Sequence, residues 1–201
     1  MFVITADQVD SSHTRDAVAD ALATLASSTD RPLVLPAERT AGDEFQILLD
    51  DAAATLATIL DLTRTGRWSV GCGVGTVRTP LPVSIREAAG PAFIGARAAV
   101  DRAKKRQSRF ALEATEAMDV ATRLEALIDL LLATRSRRSP EGWQLFDLLE
   151  SGLTQAAAAA RLGISPQAAS LRAQAADLRV ESAVTAALVT LLAQLDAEAT
   201  A

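Results

Sequence analysis

Between Thr154 and Leu178 the chain reads as two short helices joined by a turn, and few other conformations suit those residues. Thr154 can cap a helix through Gln155, five alanines, Arg161 and Leu162, and Gly163 supplies a left-handed stop. Ser165-Pro166 then offers an N-cap followed by proline at the first helical position, a pre-organised start for a second helix through Gln174. The small Ala159 and Ala169 let the two helices cross closely. Farther on, Val180 to Leu195 places Val184, Leu188, Leu191, Leu192 and Leu195 at helical spacing. That stripe suits either a dimer seam or closure of a C-terminal core.

The first half has a different grain. Phe2 to Ala6 is a β-branched apolar run ending at Asp7, and Ser11, Ser12 and Thr14 offer caps for a helix reaching about Leu25. Arg31 to Ala37 reads as an edge strand because of its prolines, and a turn at Ala41-Gly42-Asp43 leads into the strand Phe45 to Leu49. A helix over Asp50 to Thr63 ends before Gly66. Trp68 to Val77 alternates Val70, Cys72 and Val74 with Gly71, Gly73 and Gly75, so another element can approach that strand closely. A helix over Ala92 to Arg106 and a last strand over Arg109 to Leu112 complete the series.

That order contains a βαββαβ unit, and the fold class expected is α+β: a ferredoxin-like antiparallel sheet with helices on one face. Strand signals vanish after about Thr115, where Met118 to Thr134 is one long amphipathic helix. The expected division is therefore an α+β domain over 1–114, a connecting helix over 115–138 and an all-α domain over 139–201. With 49% apolar residues and only 3% aromatics, the cores must be built from Ala, Leu, Val and Ile.

One cysteine and one histidine leave no disulfide and no Cys/His metal cluster to propose. The start Met-Phe-Val-Ile-Thr-Ala-Asp lacks the basic opening and long apolar stretch of a signal peptide, and no apolar run reads as a membrane span. A cytoplasmic setting is expected.

Asp7 at the end of the first strand and Asp43-Glu44 in the hairpin can converge. Three carboxylates close together repel unless a cation neutralises them, and an all-oxygen set suits Mg²⁺ with a nucleotide polyphosphate. The plainer alternative is that Asp7 caps a helix while Asp43 and Glu44 form a polar turn. Cys72 reads as inert core.

Ala41-Gly42-Asp43-Glu44-Phe45-Gln46-Ile47-Leu48-Leu49 resembles the signature hairpin of GGDEF diguanylate cyclases, and Asp7 matches the metal aspartate of that palm domain. Ser69 to Gly75 and Ala99 to Lys105 are similar to two further segments of the family. Ala41 stands where the signature has its first glycine, and Asp7 to Ser12 lacks the family's Phe-Lys and its guanine-reading Asn. The whole chain resembles the SatD family more closely, through Asp-Gln-Val-Asp, Gly-Asp-Glu-Phe-Gln, Gly-Pro-Ala-Phe and a terminal helix-turn-helix. These resemblances imply a metal set of Asp7, Asp43 and Glu44, with nucleotide contacts from Gln8, Gly42, Lys104 and Lys105.

The segment from Gln155 to Ser170 is similar to helix-turn-helix segments of sigma-factor region four and of MarR-like regulators. In such motifs the second helix enters the major groove, so Gln167, Ser170 and Gln174 are candidate base readers, with Ser165 and Arg172 at phosphates. Charge argues the other way. The chain carries −5, and 139–201 alone holds three arginines against seven acids, a poor match for DNA. Arg135, Arg137 and Arg138 could add a basic strip, and a homodimer would double every contact. The expectation is a transcriptional regulator whose palm-like domain senses a nucleotide or metal. A metal-dependent cyclase or nucleotidyltransferase is the alternative, and a protein-binding helix-turn-helix is a third reading.

Overall fold

A computed structural model describes residues 1–27 and 31–201, and the chain is α+β. The chain divides into one unit of Met1–Asp129 with Leu188–Ala201 and a second unit of Leu130–Ala187.

The first unit is built on β1 (Phe2–Gln8), β2 (Leu35–Ala41), β3 (Glu44–Leu49), β4 (Trp68–Val74) and β5 (Phe110–Glu113), in the spatial order β2-β3-β1-β4-β5. The β2–β3, β1–β3 and β1–β4 pairs are antiparallel, and β4–β5 is parallel. The sheet is thus mixed rather than purely antiparallel. Its helices are α1 (Val18–Ser27), α2 (Ala52–Arg64) and α3 (Pro91–Ala103). A parallel neighbour needs a crossover, and α3 is the crossover from β4 to β5.

One face of the sheet carries Val3, Thr5 and Asp7, with Gly71 and Gly73 beside them on β4. A Cβ on Gly71 would lie 2.2 Å from the Val100 backbone nitrogen, and one on Gly73 would lie 2.0 Å from the Ala92 carbonyl oxygen. The glycines therefore let α3 settle directly onto this face. On the opposite face Phe2, Ile4, Phe45, Ile47, Val70 and Cys72 are buried. Since α3 occupies the glycine face of β4, α2 packs on the other with Leu56 and Ile59 buried. Helices on both faces replace the one-sided arrangement expected from the βαββαβ order. The reason is α3, which follows the four-strand unit and must cross to the uncovered side.

α2 begins as its sequence suggests, with Asp51 Oδ1 accepting from Ala54 N at 2.7 Å. α1 starts later than expected, because residues 9–17 form a loop before it.

Two long helices, α4 (Met118–Ser136) and α8 (Leu178–Ala199), each contribute to both units. The first half of α4 is not a free connector. Glu125 accepts from Leu112 N at 2.7 Å and pairs with Arg102 at 2.7 Å and Arg106 at 2.6 Å. The end of α8 likewise belongs to the first unit, where Leu188, Leu192 and Leu195 are buried and Asp196 pairs with the Met1 amino group. Three of the five residues of that stripe thus serve the core of the first unit, while Val184 and Leu191 are half-buried. By length and mean hydropathy α8 would pass as a membrane span, but its leucine row is occupied within the protein.

The second unit packs α5 (Pro140–Glu150), α6 (Gln155–Leu162) and α7 (Pro166–Ala175). Three helices start on side-chain oxygens: Ser139 caps Gly142 at 3.1 Å, Thr154 caps Ala157 at 3.2 Å and Ser165 caps Ala168 at 3.1 Å. Gly163 adopts φ 66°, and Ile164 N bonds back to the Ala159 carbonyl at 3.1 Å. That is the left-handed helix stop read from the sequence. Ala158, Ala159 and Ala169 are buried where the helices meet.

Beneath them lies a charged core. Arg135, Arg138 and Glu181 are all buried, and both guanidiniums pair with the one carboxylate. Arg138 also donates to the Ala176 carbonyl at 3.0 Å and stacks 4.4 Å from the Trp143 ring centroid. Arg135 and Arg138 are therefore not part of an exposed basic strip; Arg137 alone of the three is exposed.

Candidate functional site

Register decides which carboxylates meet. Asp7 on β1 lies opposite Glu44 on β3, so both side chains rise on the face covered by α3. α3 answers each with a cation. Lys104 Nζ sits 2.8 Å from Asp7 Oδ2, and Arg97 pairs with Glu44. Glu44 also accepts from Thr40 Oγ1 at 2.8 Å. Arg97 and Lys104 are seven residues apart, two turns of one helical stripe, a spacing legible in the sequence.

Asp43 occupies the Gly42–Asp43 turn, with Gly42 at φ 49°. Its backbone carbonyl accepts from Gln8 N at 3.1 Å. Among the described residues, no three His, Cys, Asp or Glu side chains gather as a metal-binding group. The two carboxylates that do meet, Asp7 and Glu44, are each paired with a base, which weakens their draw on a divalent ion. As placed, Asp7, Asp43 and Glu44 do not fit a resident Mg²⁺.

Gln8 is buried and its amide is fully engaged. Its nitrogen donates to Thr14 Oγ1 at 2.9 Å and to the Arg15 carbonyl at 2.8 Å, while its oxygen accepts from Ala17 N at 2.8 Å. It holds the loop ahead of α1 rather than presenting a hydrogen-bonding edge to a ligand. Lys105 is exposed just beyond α3, and Lys104 is half-exposed. Around the carboxylates the cations, not the acids, thus face solvent: side-chain exposure is 55% for Arg97 and 36% for Lys104, against 8% for Glu44 and 17% for Asp7. A separate cleft of about 270 Å³, lined by Asp20, Thr24, Arg31, Asp61, Arg67 and Trp68 among others, contains none of these residues.

In the second unit, α7 leaves Gln167, Ser170 and Gln174 exposed along one side, with Leu171 beside them at 60% exposure. Ser165 is exposed and its hydroxyl caps the helix. Arg172 is half-buried, and its charge reaches Glu141 of α5. Hydrogen bonds from the Glu141 backbone and from Ser139, aided by Arg172, hold the Glu141 carboxyl below its usual range.

The folded boundaries also change the charge count. From Leu130 to Ala187 there are six arginines and five acids. The excess of acid in 139–201 arose because Asp196 and Glu198 belong to the other unit, while Arg135, Arg137 and Arg138 belong to this one.

No family model, no curated protein and no solved structure matches this chain.

Proposed function

We propose that this chain is a transcriptional regulator in which α6 and α7 form a helix-turn-helix and the N-terminal unit is a palm-like nucleotide sensor. One observation carries the reading. α7 follows a left-handed glycine stop, starts on a Ser-Pro cap and exposes Gln167, Ser170 and Gln174 in a row. A major groove admits a helix that presents such a row. The near-neutral charge of the second unit is less hostile to DNA than the linear segment suggested, although the affinity expected is low and steeply salt-dependent. A homodimer would double the contacts.

The palm reading is supported by the antiparallel order β2-β3-β1-β4, the order of a ferredoxin-like βαββαβ sheet. Its ligand, on this reading, is a nucleotide whose phosphates compete with Asp7 and Glu44 for Lys104 and Arg97. The enzymatic alternative is less well supported, because Asp7 and Glu44 are already paired with Lys104 and Arg97.

The test is fluorescence anisotropy of labelled duplexes at low salt, with the full-length chain, with and without ATP or GTP and with and without Mg²⁺. Binding that weakens steeply with salt and is lost on Gln167→Ala with Gln174→Ala is expected. Absence of any duplex binding under every condition would remove the regulator reading. Nucleotide-independent binding would remove the sensor part alone.

A further inference from the structure

The exposed row on α7 is as informative for what it lacks as for what it holds. We infer that α7 recognises A·T base pairs, thymine through Leu171 and adenine through Gln167 and Gln174; the inference rests on the DNA-binding reading above.

The major groove offers each base a different partner. Guanine takes Arg or Lys, cytosine takes Asp or Glu, adenine takes Gln or Asn in a bidentate pair, and the thymine methyl takes an apolar side chain. The exposed residues of α7 are Pro166, Gln167, Ala168, Ser170, Leu171, Gln174 and Ala175. None is charged. The single charge on the helix, Arg172, is half-buried and lies outside that exposed set. The side chains suited to guanine and cytosine are therefore absent from the reading side, and those suited to adenine and thymine are present.

Leu171 sits four residues after Gln167 and three before Gln174, so the three project from one stripe. At 60% exposure it leaves apolar surface in water, and a thymine methyl would cover it. From Gln167 to Gln174 the helix rises about 10 Å, which matches roughly three base-pair steps of 3.4 Å. The expected core of a half-site is thus three or four consecutive A·T pairs.

The experiment selects duplexes from a random library with the full-length chain at low salt, then measures anisotropy on the selected duplex. A second duplex carries deoxyuridine in place of thymidine and so lacks only the methyl groups. Wild type should bind the deoxyuridine duplex about fourfold more weakly for each methyl lost from Leu171. Leu171→Ala should bind both duplexes equally. Gln174→Ala should lose about fivefold or more of its preference for adenine over guanine at one position. These residues are exposed, and unchanged melting temperatures would show that the variants fold. A selected core rich in G·C, or no penalty for deoxyuridine, overturns the inference and leaves the DNA-binding reading standing. If no duplex is retained at all, both fall together.

Discussion

Replacing Glu181 by Gln should remove about half of the stability of the second unit while leaving the first intact. The carboxylate is 6% exposed and serves two guanidiniums that are themselves 4% and 1% exposed, those of Arg135 and Arg138. Removing one partner from a buried ion pair costs about 3–5 kcal/mol, because the charge left behind is uncompensated. Here two charges would be left. Stacking on Trp143, at 4.9 Å for Arg135 and 4.4 Å for Arg138, offsets part of this, on the order of 1 kcal/mol per ring contact. A net loss of about 3 kcal/mol follows. At roughly 0.1 kcal/mol per residue, a unit the length of Leu130–Ala187 holds only about 6 kcal/mol in all.

Urea denaturation read by tryptophan fluorescence can separate the units, since Trp143 lies in the second and Trp68 in the first. In a Trp68→Phe background the signal follows Trp143, and its midpoint should fall by about half in Glu181→Gln. A variant with Arg135→Met, Arg138→Met and Glu181→Leu together should recover most of the loss, because a packed apolar set of similar volume avoids the desolvation cost. A shift below about 1 kcal/mol in Glu181→Gln would show that water reaches the guanidiniums and that the charged core is not a core.

Three further outcomes are expected. Burial pushes the Cys72 thiol up to about 12 from 9.0, so the folded protein holds its proton where the unfolded chain releases it. The associated stability is complete below pH 9 and is lost as pH rises toward 12; a thiol reagent near pH 8 should label Cys72 only on unfolding, and rapid native labelling would refute its burial. Gly71→Ala should cost about 3 kcal/mol or more by overpacking against α3, whereas Gly95→Ala, whose Cβ would meet nothing nearer than 3.4 Å, should leave the melting temperature almost unchanged. Lys104→Met should cost under about 1 kcal/mol, since its pair with Asp7 is partly exposed, yet it should weaken ATP binding if the proposed sensor site is correct, as titration calorimetry would show.

Local chemistry was legible in the sequence and tertiary pairing was not. The Gly42–Asp43 turn, the glycine strand of β4, Gly163 and Ser165-Pro166 each announce a backbone conformation through the residue itself, and the fold uses them as read. Ser139-Pro140 carries the same start signal as Ser165-Pro166, and α5 could have been placed from it. By contrast, Asp7 and Asp43-Glu44 showed only that acids come near one another. Whether they meet a metal or a helix depended on register, which paired Asp7 with Glu44, and on α3 crossing to that face with Arg97 and Lys104 in line. Arg106, a cation just past the end of α3, is likewise spent on Glu125 and Asp129, a pairing that only the fold reveals.

The basic run at Arg135 to Arg138 shows why linear charge counts mislead about partners. Two of its three cations are consumed inside the fold, so the second unit cannot draw on them for phosphate contacts. What they supply instead is position. Arg138 binds the Ala176 carbonyl at the end of α7 through both Nε, at 3.2 Å, and Nη2, at 3.0 Å, and Gly142 leaves just enough room, since a Cβ there would lie 2.8 Å from Arg138 Cγ. A helix whose one charge is half-buried gains little from long-range attraction, so any affinity it has must come from groups held ready in one geometry. In the proposed regulator the buried arginines act on DNA only through that geometry. A Gly142→Ala variant, which pushes Arg138 off the α7 terminus, should therefore weaken duplex binding without changing its salt dependence, whereas loss of a phosphate contact would lower the salt slope.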